Sequence, residues 1–264
     1  MSGAKRRRIP GLTINRLIPN ALTLLALGAG LTGIRLALMD RWEFAITAVA
    51  VAMVLDALDG RIARLMGATS EFGAQLDSLS DVINFGVTPA ILVYIWALDG
   101  IGGLGWALAL VFVMACALRL ARFNTALGTV DPPPWASRFF TGVPAPAGAG
   151  LVLLPMTLSF EIDSDILRSA VVNGGALIVV SALMISKIPT FSAKRLKLPN
   201  AYVGLALIAV GTYGAFLVST PWVTLSLTGL AYLISIPISA TSFRRLQSAM
   251  EEAQADIDSG DDEV

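Results

Sequence analysis

LDALDGRIARLMGATSEFGAQLDSLSD, residues 55–81, decides the fold because it joins two apolar runs, at about 43–66 and 73–98. Each run is long enough to cross a bilayer as a helix, which takes roughly 20 residues. Four aspartates, Asp56, Asp59, Asp77 and Asp81, stand where apolar residues belong. On a helix of about 3.6 residues per turn, Asp56, Asp59 and Ala63 share one face, with Gly60 and Arg64 close beside it. Gly73, Asp77 and Asp81 lie four apart and share another. The connection at 65–72 is short, so the two helices are expected to be antiparallel neighbours whose acidic faces converge near one membrane boundary.

Outward from this stretch the chain remains apolar. Of its 264 residues 55% are apolar and 14% charged, with a mean hydropathy of +0.73, against about 25% charged in a typical soluble domain. The expectation is an all-α integral membrane protein. Runs at about 18–39, 43–66, 73–98, 101–123, 143–160, 166–186, 200–219 and 221–240 give about eight transmembrane helices. This divides the chain into a basic N-terminal segment, 1–17, a transmembrane catalytic domain, 18–240, and an acidic tail, 241–264. The first run is too long and Gly-rich for a cleaved signal segment and is followed at once by a second span, so it is expected to stay in the protein.

Charge sets the orientation. Lys5, Arg6, Arg7, Arg8 and Arg16 precede the first span without an acid, while 251–264 carries seven acids and no base. Basic residues are retained on the cytoplasmic side. Threading eight spans from a cytoplasmic N-terminus places Arg61 and Arg64, Arg119, Arg122 and Arg138, Lys187, Lys194, Arg195 and Lys197, and Arg244 and Arg245 inside. The acidic loop Glu161–Asp165 then falls outside. Both termini and the acidic site are therefore expected to be cytoplasmic, in a prokaryotic inner or plasma membrane. The basic N-terminus reads as an anchor, the residues 251–264 as a solvated, disordered end, Pro132–Pro134 as a stiff connection, and Gly28, Gly30 and Gly33 as close helix packing. No nucleic-acid partner is expected.

The chain has no histidine, which excludes Ser-His-Asp triads, HExxH zinc sites and imidazole proton shuttles. Its single cysteine, Cys116, lies in an apolar run and reads as core packing. Acid-base or metal chemistry must therefore use carboxylates. Four converging anions in a partly dehydrated site need positive charge, and Arg61 and Arg64 are too few to supply it. Hard divalent cations, Mg²⁺ or Mn²⁺, take oxygen ligands and leave positions for phosphate oxygens, whereas zinc recruits His or Cys. A two-metal phosphoryl-transfer centre is the economical solution. Two other readings stand beside it: buried Asp–Arg pairs that fix helix register, and a carboxylate-lined cation transporter, which the clustering of all four acids near one membrane face disfavours.

At these residues the chain resembles the CDP-alcohol phosphatidyltransferase family. Its signature, D-x2-D-G-x2-A-R-x8-G-x3-D-x3-D, is matched at every fixed position by Asp56, Asp59, Gly60, Ala63, Arg64, Gly73, Asp77 and Asp81. The resemblance implies that family's helical bundle, a CDP-linked lipid donor, a divalent metal and displacement of CMP. It implies Asp56, Asp59 and Asp77 as metal ligands and Asp81 as a ligand or as the general base. Gly60, Ala63 and Gly73 would let the nucleotide approach the helix backbone, with Arg64 near the nucleotide or diphosphate.

Flanking segments extend the resemblance to the multi-spanning, serine-accepting members of the family. These are IPNALT (18–23), SLSDVINFGVTPA (78–90), RLARFN (119–124), FTGVPAPAGAG (140–150) and SKIPTFSAK (186–194). It implies Asn20 and Thr23 as nucleotide contacts, CDP-diacylglycerol and L-serine as substrates, surrounding membrane lipids, and a homodimer. Glycerol 3-phosphate or inositol as acceptor is the alternative within the family. A serine carboxylate calls for a cation, and Arg119 and Arg122 lie three apart at the end of the fourth span, with Asn124 as a polar helper. The competing reading makes both arginines positive-inside anchors that snorkel to headgroups.

Overall fold

A computed structural model describes residues 14–126, 139–191 and 202–261. Lys5 to Arg8, Pro132–Pro134, Arg138, Lys194, Arg195 and Lys197 lie outside the described residues. Among the described residues eight helices follow in order. They are α1 (Ile14–Ala37), α2 (Trp42–Leu65), α3 (Glu71–Ile101), α4 (Gly103–Ala126), α5 (Ala145–Ser159), α6 (Ala170–Ile185), α7 (Val203–Ser219) and α8 (Pro221–Asp261). Each overlaps most of one of the eight apolar runs, with α5, α6 and α7 shorter than the runs expected there. Leu17–Ala37, Glu71–Ile101, Gly103–Thr125 and Pro221–Leu246 are long and apolar enough to cross a membrane, and α5, α6 and α7 are shorter apolar helices. The architecture is all-α, as expected.

Two features depart from the sequence reading. Phe139–Thr141 (β1) and Pro189–Phe191 (β2) form a small antiparallel pair, with Phe140 opposite Thr190. Strands of three residues carry too little alternation to be read. The last helix also runs on to Asp261, past the expected end at 240 and into the acidic segment expected to be disordered. Its sequence there, MEEAQA at 250–255, is built of strong helix formers.

The chain divides into two compact units, one ending at Thr88 and one beginning at Pro89. In the first, α1 packs along α2 through small residues. Ala26, Gly30, Gly33 and Ala37 are buried on α1, as are Ala45, Val49 and Ala52 on α2. A Cβ at Gly33 would stand 3.1 Å from the Ala45 carbonyl oxygen. Close backbone approach of this kind replaces the hydrophobic drive that lipid cannot supply.

The turn from α2 to α3 is closed at both ends. Ala68 N–H donates to the Ala63 carbonyl (2.8 Å) and Gly67 N–H to the Arg64 carbonyl (3.3 Å), with Gly67 at φ 57°. This is a Schellman motif, whose left-handed position favours glycine. Two residues on, Ser70 caps α3 by accepting the Gly73 N–H at 3.0 Å. The sequence MGATS (66–70) thus reverses the chain in one tight step.

Within α3, residues Val82–Val87 form a π-helical turn, marked by Thr88 N–H donating to the Ile83 carbonyl. Pro89 follows at once. It has no N–H to give, and in a regular helix its ring would press on the carbonyl four residues back, so the widened turn relieves both problems. In the second unit α4 packs on α6, α5 on α6 and α8, and α8 on β2. Phe112, Cys116, Met156, Leu177 and Met184 are fully buried there. No residue of α7 is buried.

Candidate active site

Asp56 and Asp59 reach the site from α2 and Asp77 from α3. One carboxylate oxygen from each lies within 4.8 Å of the others. Asp59 is almost fully buried, and Asp56 and Asp77 are half-buried. Two carboxylates at that separation repel by about 3.5 kcal/mol at an effective dielectric near 20. Among the described residues the cluster is not neutralised by pairing at its deepest points. Asp59 Oδ2 accepts the Thr23 hydroxyl at 2.5 Å, a neutral partner from α1. Asp56 Oδ1 is buried with no hydrogen-bond partner among the described residues. The Thr23 oxygen also lies 3.1 Å from the Pro19 carbonyl, but its single hydrogen is best spent on the charged acceptor.

This donor set fits a hard divalent cation. It is all oxygen, has an unfilled buried acceptor, and gathers more negative charge than any neighbour offsets. Asp56, Asp59 and Asp77 could hold such an ion. Asp81, one turn beyond Asp77, stands outside the three-carboxylate cluster and beside Asp56.

Next to the cluster opens a cleft of ≈ 210 Å³. Asn20, Thr23, Gly60, Ala63, Arg64 and Gly73, the six residues expected to meet the nucleotide, all line it, together with Asp59 and Asp77. Its glycines serve different ends. A Cβ at Gly73 would stand 2.9 Å from Asn20 Oδ1 and 3.1 Å from Ser70 Oγ, so a side chain there would push the Asn20 amide and the capping serine aside. A Cβ at Gly60 would meet nothing closer than the Arg64 guanidinium at 3.6 Å. The space beside Gly60 is open to a ligand.

Sequence reasoning missed Pro19, Ala68, Thr69, Ser70 and Ala74, which also line the cleft. Pro19 and Ala74 adjoin residues that were singled out. Thr69 and Ser70 arrive with the tight turn, whose Gly67 and capping serine are the signals that could have found them.

The residues expected to bind the acceptor lie at the end of α4, in the second unit. Arg119 and Arg122 line a cavity of ≈ 230 Å³ with Phe123, Phe139, Phe140 and Thr141. The Arg119 guanidinium sits 5.6 Å from the centre of the Phe123 ring. Arg122 Nη1 donates to the Ile185 carbonyl at 2.8 Å and so satisfies the last turn of α6. Asn124 is exposed and is not among the residues lining the cavity.

The family model for CDP-alcohol phosphatidyltransferase matches residues 16–186, and that for CDP-alcohol phosphatidyltransferase 2 matches residues 201–237. The chain belongs to the CDP-alcohol phosphatidyltransferase family, and with its apolar helices it is an integral membrane protein. It is 35% identical over 250 residues to a CDP-diacylglycerol–serine O-phosphatidyltransferase of Mycobacterium leprae, covering 95% of this chain and 82% of the relative. A protein of that name from Mycobacterium bovis is 34% identical, covering 88% and 80%. One from Helicobacter pylori is 35% identical, covering 69% and 74%.

Proposed function

We propose that this protein transfers the phosphatidyl group of CDP-diacylglycerol to the hydroxyl of L-serine, giving phosphatidylserine and CMP. The observation that carries the reading is the convergence of Asp56, Asp59 and Asp77 on one another, with Asp59 and Asp77 lining a cleft that every nucleotide residue of the signature also lines. The names of relatives spanning nearly the whole chain support serine as the acceptor.

In this reading Asp56, Asp59 and Asp77, joined by Asp81 where its carboxylate also serves as a ligand, hold two divalent ions, Mg²⁺ or Mn²⁺. When bound, these neutralise the diphosphate and the charge on departing CMP. Asn20, Thr23, Gly60, Ala63, Arg64 and Gly73 seat the nucleotide, and open backbone at Gly60 lets it lie against α2. The serine oxygen bonds to the phosphorus of the phosphatidyl group, the bond from that phosphorus to the CMP oxygen breaks, and Asp81 takes the hydroxyl proton. Arg119 and Arg122 answer the serine carboxylate, with Asn124 as a polar helper.

Site and termini face the cytoplasm, as the distribution of Arg and Lys supports. There the acyl chains stay in the bilayer while nucleotide and serine arrive from water. The family resemblance supports a homodimer.

The test is CMP release by purified protein in mixed micelles with CDP-diacylglycerol. Serine, glycerol 3-phosphate and inositol are compared, each with Mg²⁺, Mn²⁺ or chelator. Release with serine alone, abolished by chelator, is expected. Release only with another acceptor overturns the serine assignment and keeps the metal site, whereas no release from folded protein brings forward the carboxylate-lined transporter.

A further inference from the structure

Behind the carboxylate cluster a line of buried polar groups crosses all three helices of the first unit. Thr23 on α1, Ser80 on α3 and Asn84 in the π-turn are each less than 5% exposed, and each makes a hydrogen bond, while Asn84 Oδ1 is buried with no hydrogen-bond partner among the described residues. Asn84 Nδ2 donates to Ser80 Oγ at 3.1 Å. Ser80 Oγ donates to the backbone carbonyl of Thr23 at 3.4 Å, the long end of hydrogen bonding. Thr23 Oγ1 donates to Asp59 Oδ2 at 2.5 Å. Gly30, two turns beyond Thr23 on α1, supplies the notch for the Asn84 amide, since a Cβ there would overlap Asn84 Oδ1.

We infer that Ser80 and Asn84 are positioning residues for the metal site, acting through Thr23 on Asp59. The inference rests on the metal-site reading above and adds residues that touch neither ion nor substrate. The middle link ends on the Thr23 backbone rather than its hydroxyl, so the line works mechanically. Asn84 locks into the Gly30 notch, Ser80 holds the α1 backbone at Thr23, and the Thr23 hydroxyl stays in register with Asp59. The π-turn belongs to the device, because the widened turn after Asp81 fixes where Asn84 lies relative to Ser80. Partners that orient a ligating carboxylate tune metal affinity without contacting the metal.

The test is titration of full-length protein in detergent with Mn²⁺ and no substrate, free Mn²⁺ being read from its paramagnetic resonance signal. Thr23→Val is expected to weaken binding about 10-fold, at the lower end of the effect of such partners. Thr23→Ser, which keeps the hydroxyl, should restore it. Asn84→Leu and Ser80→Ala should each weaken binding several-fold in the wild-type background. In the Thr23→Val background, with the line already cut, Asn84→Leu should add less than about 2-fold. A residue that only stabilises the fold would not show that loss of effect. Full additivity, or wild-type affinity in both Asn84→Leu and Ser80→Ala, overturns the inference while leaving the metal site standing. Failure of the wild-type protein to take up Mn²⁺ overturns the metal reading and the inference together. Where Asn84→Leu does not fold, Ser80→Ala cuts the same line and decides.

Discussion

At Gly60 the interests of the helix and of the site diverge. The residue lies inside α2, where glycine is a poor helix former, and no neighbour crowds the place a methyl would take. Gly60→Ala is therefore expected to raise stability by about 0.5–1 kcal/mol, seen as a higher unfolding temperature in detergent. In the proposed nucleotide site the same methyl would fill the space beside α2, so kcat/KM for CDP-diacylglycerol should fall about 10-fold or more. A stabilised variant with unchanged kcat/KM would mean that the ligand does not lie against α2. Gly73 offers no such separation, because a side chain there would also displace Asn20 and Ser70.

Among the elements, the α2–α3 turn sets the register between Asp56 with Asp59 and Asp77. Gly67 holds a left-handed conformation with open space around it, so the cost of a side chain there is one of backbone alone. Gly67→Ala should lower stability by about 1 kcal/mol, with Gly67→Asn losing less, both measured by thermal unfolding. Equal stability of all three would show that the turn relaxes to another conformation. The acidic faces at this turn were legible in the sequence because spacing of three and four on a helix fixes a face whatever the surroundings. The line from Asp59 through Thr23 and Ser80 to Asn84 was not, because it depends on a π-turn and on a notch at Gly30, contributed by different helices. Gly30 and Gly33 were legible as packing residues but not their partners, Asn84 and Ala45. The β1–β2 pair escaped because each strand is only three residues long, and the reach of α8 because charge was read as disorder in a segment of good helix formers.

For the molecule as a whole, the proposed orientation makes a prediction about access from either side of the membrane. Cys116 is the only cysteine and is fully buried, so Cys116→Ala provides a background for single-cysteine labelling. In intact cells a membrane-impermeant maleimide is expected to reach Asp163→Cys, in the acidic loop after α5, and to reach Thr69→Cys, in the turn beside the cleft, only after permeabilisation. The reverse pattern would put the carboxylate site on the outer face and remove its supply of cytoplasmic nucleotide. The helices differ in length as well as in sidedness. Helix α7 has 17 residues, none of them buried, and at about 1.5 Å per residue it is about 26 Å long. The hydrocarbon core it meets is about 30 Å thick. Where α7 crosses the membrane against lipid, the lipids would have to compress or the helix ends draw headgroups inward. As a span, a helix of that length would suit a thin bilayer better than a thick one, and it is remote in sequence from the carboxylates.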